Sequence, residues 1–293
     1  MTDQQRTTLI LGAGFSGKRY GELIAREGAS VFGTTRSPDK ADALDKAGIQ
    51  PVIFDGVTIT PALKEAIEGA TDLVVSIAPN ESGDPVLRAL SQVLSVAPKL
   101  SWIGYLSTVG VYGNHDGAWV DEESNCKPVS KRSVQRMQAE SEWQSFAANQ
   151  DLPLAILRLS GIYGPGRNAL KNMVEGKARR LIKPGQVFNR IHVADIAASL
   201  KFLANQRADG IFNVTDDMPS PPQDVVEYAA LVTKIDPPAP IDFETATLSP
   251  MARSFYGENK RVSNAKLKSA GFQFQYSNYR QSLKKMWDEN DWR

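Results

Sequence analysis

Short apolar runs alternate with segments of helical spacing through the first two thirds of the chain. TTLIL (7–11), ASVFGTT (29–35), QPVIF (50–54), DLVVSI (72–77), LSWIGYLS (100–107) and LPLAILRL (152–159) predict strands. Several are apolar on both faces, as strands covered by helices on each side must be. Between them, SGKRYGELIARE, SPDKADALDKAG, TPALKEAIEG, DPVLRALSQVL and VSKRSVQRMQAESEWQSFAAN predict helices, several with Ser, Thr or Asp at the start. Strict alternation of strand and helix implies parallel strands joined by right-handed crossovers, hence an α/β fold with a doubly wound sheet.

After Ser160 the pattern loosens. GIYGPGRN predicts a loop, NRIHVADIAASLKFLAN a turn and helix, and GIFNVT a further strand. From Asp216 the chain is rich in proline and mixed in pattern, which predicts a smaller C-terminal lobe, with DDMPSPP as a connection between lobes.

Composition narrows the function classes. The 293 residues are 42% hydrophobic and 23% charged, as in an ordinary globular protein, and a formal charge of +1 gives no reason to expect a nucleic-acid partner. Cys126 is the one cysteine, so no internal disulfide framework is expected, and a reducing cytoplasm suits the chain. With His115 and His192 as its two histidines, no metal site is expected. MTDQQRTT carries no signal-peptide pattern, and no apolar run approaches the ~20 residues that span a bilayer, so no membrane partner is expected. Self-association is left open.

The stretch LILGAGFSGKR (9–19) fits two phosphate-binding turns. Gly12, Gly17 and Lys18 match the front of a nucleoside-triphosphate loop, but Arg19 stands where Ser or Thr must ligate magnesium. Gly12, Gly14 and Gly17 match G-x-G-x-x-G with a strand before and a helix after. Gly12 then allows the tight turn, Gly14 lets a pyrophosphate approach, and Gly17 lets helix pack on strand. Phe15 and Ser16 complete the helix start that would hold the pyrophosphate. At the end of the second strand, TTRSPDK carries Arg36 where an NAD enzyme usually has an acid. A guanidinium suits a 2′-phosphate, with Thr35 and Ser37 adding hydroxyls, so the expected cofactor is NADP. The plainer alternative is that Arg36 is a solvated strand-end arginine.

YLSTVGVYG (105–113), LRLSGIYGPGRN (157–168), RIHVADIA (190–197) and IFNVTDDMPS (211–220) together resemble the extended short-chain dehydrogenase/reductase superfamily, and more closely its atypical NAD-dependent epimerase/dehydratase branch. The resemblance covers most of residues 7–232. It implies a Rossmann domain of 1–163 plus 191–215 and a substrate-binding lobe of 164–190 plus 216–293. It further implies that Asp55 contacts adenine, that Ser76, Ala78 and Pro79 line ribose and pyrophosphate, and that Leu159 and Ser160 border the nicotinamide. Thr108 falls at the catalytic Ser/Thr position. His192 and Asp195 fall in a mainly structural segment.

The resemblance also requires Tyr-x-x-x-Lys on the helix after the fifth strand, and there the chain departs from it. RSVQRMQAE places Arg132 and Arg136 at those positions. An arginine stays protonated and cannot replace the phenol as an acid–base group, although Arg136 could replace the lysine as a cationic donor. Tyr256 and Lys260 have the literal spacing but lie in the smaller lobe, where it is read as coincidence. Tyr112 is one substitute and Tyr163, placed at the substrate, another. Equally, both could simply pack their loops. Arg167, after GPG, is an expected ligand contact. Lys177, Arg179, Arg180, Lys183 and Arg190 form either an anion-attracting wall or a solvated face.

The resulting expectation is an NADP-binding oxidoreductase or epimerase-like enzyme that transfers hydride reversibly to a small polar substrate. The alternative is a sensor that binds NADP without turnover.

Overall fold

The computed structural model describes residues 6–293; the expectation about the N-terminus rests partly on residues 1–5, outside them. In chain order the elements are β1 (Thr7–Leu11), α1 (Phe15–Ala25), β2 (Ser30–Thr35), α2 (Ala41–Asp45), β3 (Gln50–Ile53), α3 (Pro61–Gly69), β4 (Asp72–Val75), α4 (Pro85–Leu94), β5 (Trp102–Thr108), β6 (Trp119–Val120), α5 (Lys131–Asn149), β7 (Leu154–Leu159), β8 (Gly161–Tyr163), α6 (Ala169–Val174), β9 (Arg180–Ile182), β10 (Arg190–His192), α7 (Val193–Asn205), β11 (Gly210–Val214), α8 (Pro222–Thr233), β12 (Pro240–Asp242), α9 (Pro250–Phe255), β13 (Arg261–Val262), α10 (Ala265–Ser269) and α11 (Tyr279–Asp288).

Seven strands form one sheet in the order β11-β7-β5-β4-β1-β2-β3, and the pairs from β3 to β5 are parallel. The chain runs outward from β1 to β3, then crosses back and continues from β4 on the other side. The order therefore reverses between β1 and β4, the switch point at which such sheets bind ligands beyond their strand ends. This is the doubly wound sheet that the alternating pattern predicts.

Helix starts follow their caps. Asp84 accepts from Val86 N at 2.9 Å and Leu87 N at 3.1 Å to open α4, and Thr60 accepts from Leu63 N at 3.2 Å to open α3. Where one helix was expected in SPDKADALDKAG, Pro38–Lys40 forms a 3₁₀ turn ahead of the short α2. The core of this region stacks Leu9, Leu11, Val75, Ile103, Tyr105 and Ile156 against Leu63, Ile67, Leu90 and Trp143 of the helices.

By packing, one unit comprises the described residues up to Thr108, Lys131–Arg158 and Ile196–Phe212, and a second comprises Val109–Ser130, Leu159–Asp195 and Asn213–Arg293. The second is larger than the lobe expected from sequence. It takes in 109–130 because β6 pairs with β13, and 159–163 because β8 pairs with β10. DDMPSPP is also more than a connection, since Phe188 and Ser220 exchange backbone bonds of 2.9 and 3.1 Å. Among the described residues no helix is long and apolar enough to cross a membrane.

Candidate functional site

The glycine turn joins β1 to α1, and its three glycines have three different environments. Gly12 has φ +94°, and a Cβ there would lie 2.8 Å from Ile77 Cγ1 and 3.0 Å from Ile77 N. Its amide donates to Thr34 Oγ1 at 2.8 Å. At Gly17 a Cβ would lie 2.8 Å from the Gly12 carbonyl oxygen and 2.9 Å from Ile10 Cγ2. Both positions therefore exclude any side chain. At Gly14, by contrast, a Cβ would meet nothing within 4 Å. Gly14 is the N-cap of α1 and supplies no side-chain cap, so the positive end of the helix dipole carries no capping side chain at the point where a Cβ would have room. Ser16 is buried and Phe15 exposed in that turn. Arg19 pairs with Glu22 at 3.2 Å on the helix surface. These features fit a dinucleotide pyrophosphate: two tight positions shape the turn and one bare position lets the ligand approach.

The other predicted cofactor positions in this unit also follow strand ends of the same parallel sheet. Thr35 ends β2, and Arg36 is exposed with no ion pair among the described residues. Ser37 donates from its hydroxyl to Asp39 at 3.3 Å, so the nearest acid is turned to that serine. Asp55 follows β3 and accepts from Val57 N at 2.8 Å, Thr58 N at 2.7 Å and Thr58 Oγ1 at 2.9 Å. The Thr58 amide, then the Val57 amide, holds its carboxyl below the usual carboxylate range. Ser76 follows β4, and its amide extends the ladder to Leu11 O at 2.9 Å. Ala78 is exposed and Pro79 half-buried just beyond.

Thr108 is the half-buried last residue of β5. Arg136 lies on α5, and its Nη1 donates to Leu106 O at 2.9 Å and to Tyr105 Oη at 3.0 Å, with the guanidinium 5.5 Å from the centre of the Tyr105 ring. Its cation is thus committed to the strand that carries Thr108. Arg132 is exposed. One helical turn beyond Arg136, the buried Glu140 receives the Ser107 hydroxyl and pairs with Arg158 Nη2 at 2.8 Å. Sequence reasoning did not find this trio; the available signal was an arginine inside the otherwise apolar LPLAILRL.

In the second unit, Tyr112 has no exposed surface, and its hydroxyl donates to Asn213 Oδ1 at 2.7 Å. The phenol has one proton to donate and that bond uses it, which is the loop-packing alternative for this tyrosine. Tyr163 Oη lies 2.6 Å from Ser282 Oγ, its ring is edge-on to His192 at 5.3 Å, and burial pushes the phenol further above its usual range. Leu159 and Ser160 are buried, and Ser160 N donates to Val214 O at 3.2 Å. Arg167 is exposed in a hairpin with Gly164 and makes no ion pair among the described residues.

Several other residues have structural roles. His192 Nδ1 accepts from Ala194 N at 3.2 Å, and the ring packs 4.2 Å from Tyr276. Asp195 accepts from Gln275 N at 2.7 Å and Tyr276 N at 3.1 Å, while burial pushes its carboxyl up to about 6. Tyr256 stacks on Phe243, and Lys260 Nζ donates to Gly113 O at 2.8 Å and Glu258 at 2.7 Å, so the Tyr256/Lys260 spacing makes no acid–base pair. Of the basic stretch, Lys177 pairs with Glu175, Arg180 with Glu227, and Arg179 and Lys183 donate to the carbonyls of Thr247 and Tyr256. Arg190 donates to Ser220 Oγ at 2.7 Å.

A family model for the NAD dependent epimerase/dehydratase family matches residues 8–215. The chain belongs to that family. Among solved structures, a functionally unknown conserved protein from Silicibacter pomeroyi is 42% identical, with a TM-score of 0.89 over 98% of this chain and 99% of its own. MoeE5 in complex with UDP-glucose and NAD shares the fold at 20% identity, with a TM-score of 0.77 over 97% of this chain and 99% of its own. A curated relative, the chloroplastic epimerase family protein SDR39U1 homolog of Arabidopsis thaliana, is 24% identical over 96% of this chain and 87% of its own length. Membership of the epimerase/dehydratase family agrees with the resemblance drawn from the sequence.

Proposed function

We propose that this family member binds NADP and moves a hydride reversibly between the nicotinamide and a small polar hydroxyl or carbonyl substrate. The observation that carries the reading is the bare Gly14 at an uncapped helix start, with Arg36, which makes no ion pair among the described residues, one strand along at the end of the adjacent β2. The amides of Phe15, Ser16 and Gly17 would hold the pyrophosphate. Arg36 would take the 2′-phosphate through paired charge-assisted bonds, with the hydroxyls of Thr35 and Ser37 beside it. Asp55, Ser76, Ala78 and Pro79 would line adenine, ribose and pyrophosphate, and Leu159 and Ser160 the nicotinamide.

When bound, the nicotinamide gives or accepts the hydride. Thr108 holds the reacting oxygen of the substrate and passes a proton between that oxygen and a water. Arg136 keeps the end of β5 in place through Leu106 O. Tyr112 is left as a packing residue, because its proton already belongs to Asn213. Tyr163 and Arg167 would contact substrate, and UDP-sugars belong among the substrates to be tried because MoeE5 carries one. A cytoplasmic location suits the single cysteine. A positioned acid–base group is worth ~10²–10⁴-fold in rate, so turnover without the phenol should be slow.

The second reading, a sensor that binds NADP without chemistry, is favoured by that missing phenol. Incubation of NADPH and protein with a panel of carbonyl compounds and nucleotide sugars, followed at the absorbance of the reduced nicotinamide, separates the two. Replacing Arg36 with Ala should weaken NADPH by tenfold to a hundredfold, since a charge-assisted bond contributes ~1.5–3 kcal/mol, and leave NADH unchanged. Unchanged affinity for NADPH would assign Arg36 to the solvated surface instead, and equal loss for both cofactors would contradict a 2′-phosphate contact.

A further inference from the structure

We propose that Glu140 is a positioning residue for Thr108, acting through the Ser107 hydroxyl; this rests on the role given to Thr108 above. The β4–β5 register ends at Val75 opposite Tyr105, so Leu106, Ser107 and Thr108 run on past the end of β4. The side chains of α5 bond this overhang. Arg136 holds the carbonyl of Leu106 and the hydroxyl of Tyr105, and Glu140 accepts the hydroxyl of Ser107. The two residues are four apart on α5 and so lie on one face of it.

Glu140 is itself fixed. It is 3% exposed, and Arg158 of β7 reaches both its oxygens, with Nε at 3.2 and 3.3 Å and Nη2 at 2.8 Å. A buried carboxylate paired in this way is a strong, immobile acceptor, and its bond to a hydroxyl is charge-assisted. Ser107 is the immediate neighbour of Thr108, so the carboxylate fixes the backbone from which the Thr108 hydroxyl projects. Errors of about an ångström in such a group cost on the order of a hundredfold in rate. The Glu140 carboxylate thereby connects the end of the strand that carries Thr108 to the end of β7, next to Leu159.

The test removes one hydroxyl and leaves the ion pair intact. Ser107→Ala should lower kcat about tenfold, leave the NADPH dissociation constant within twofold of wild type, and leave KM little changed. Ser107→Thr, which keeps the hydroxyl, should restore kcat. In a Thr108→Ala background, Ser107→Ala should cost nothing further, because the group being positioned is gone. Unchanged kcat in Ser107→Ala overturns the proposal, and so do losses that multiply in the double variant. Absence of turnover in the wild-type protein with every substrate overturns the reading of Thr108 and this inference together, whereas wild-type turnover with an indifferent Ser107→Ala overturns this inference alone.

Discussion

Replacing Gly14 with Ala separates the binding role of the glycine turn from its folding role. The backbone at Gly14 has φ −81° and ψ −150°, an extended conformation open to alanine, and the added Cβ meets nothing within 4 Å. Alanine is a poorer N-cap than glycine by up to about 1 kcal/mol, and the smaller entropy of the unfolded alanine chain offsets this by about 0.4–1 kcal/mol. Stability should therefore hardly move. The methyl would occupy the space through which a bound pyrophosphate would approach the start of α1. Loss of one charge-assisted bond costs ~1.5–3 kcal/mol, which is about tenfold to a hundredfold in affinity. Gly17→Ala is the contrasting variant. Its Cβ would sit 2.8 Å from a backbone oxygen that cannot turn aside, so it should cost about 1–3 kcal/mol of stability by overpacking, as well as affinity. Thermal unfolding and NADPH titration of both proteins measure the two effects. A Gly14→Ala protein that binds NADPH like wild type would refute the idea that the start of α1 receives a ligand.

Three further outcomes are expected. Thr108→Ala should reduce kcat by a hundredfold or more, the size of a lost acid–base contribution, with NADPH affinity nearly intact; steady-state kinetics with a titration decide it, and a full kcat removes Thr108 from the chemistry. Tyr112→Phe should leave kcat within about threefold while costing about 1–3 kcal/mol of stability, because the buried Asn213 oxygen loses its donor; a large fall in kcat at unchanged Tm would return Tyr112 to the proton path. Burial pushes the Asp216 carboxyl up to about 7, against the nearby Arg190 cation, while the unfolded chain ionises near 3.8. The folded protein thus keeps a proton that the unfolded chain releases, and stability should fall as pH rises from about 4 to about 7 and then level off. Asp216→Asn should flatten that part of the denaturation profile; a wild-type slope of the opposite sign contradicts the assignment.

Local chemistry made the sheet and the turn readable in the sequence. The apolar runs at 7–11 and 72–77 are largely buried and form central strands, the run at 50–54 forms the edge strand β3 with Val52 and Phe54 buried, and glycine at 12 and 17 answers to contacts under 3 Å. Where the sequence misled or fell silent, the partner lies far along the chain. Ser107 and Glu140 are 33 positions apart, Tyr112 and Asn213 are 101 apart, and nothing local marks either pair. Trp119 and Arg261 belong to a two-residue ladder too short to show periodicity, which is why the segment at 109–130 was assigned by its neighbours in sequence and not by the strand it joins. Arg136 was legible as a cation in the lysine's place; its commitment to the carbonyl of Leu106 was not, because a carbonyl leaves no trace in residue type.

The most direct test of the account is a titration of the purified protein with NADPH and, separately, with NADH, followed by energy transfer from its tryptophans to the reduced nicotinamide. Saturable binding of one NADPH per chain, with NADH weaker by tenfold or more, is the predicted result. No saturable binding of NADPH up to millimolar concentration would contradict it.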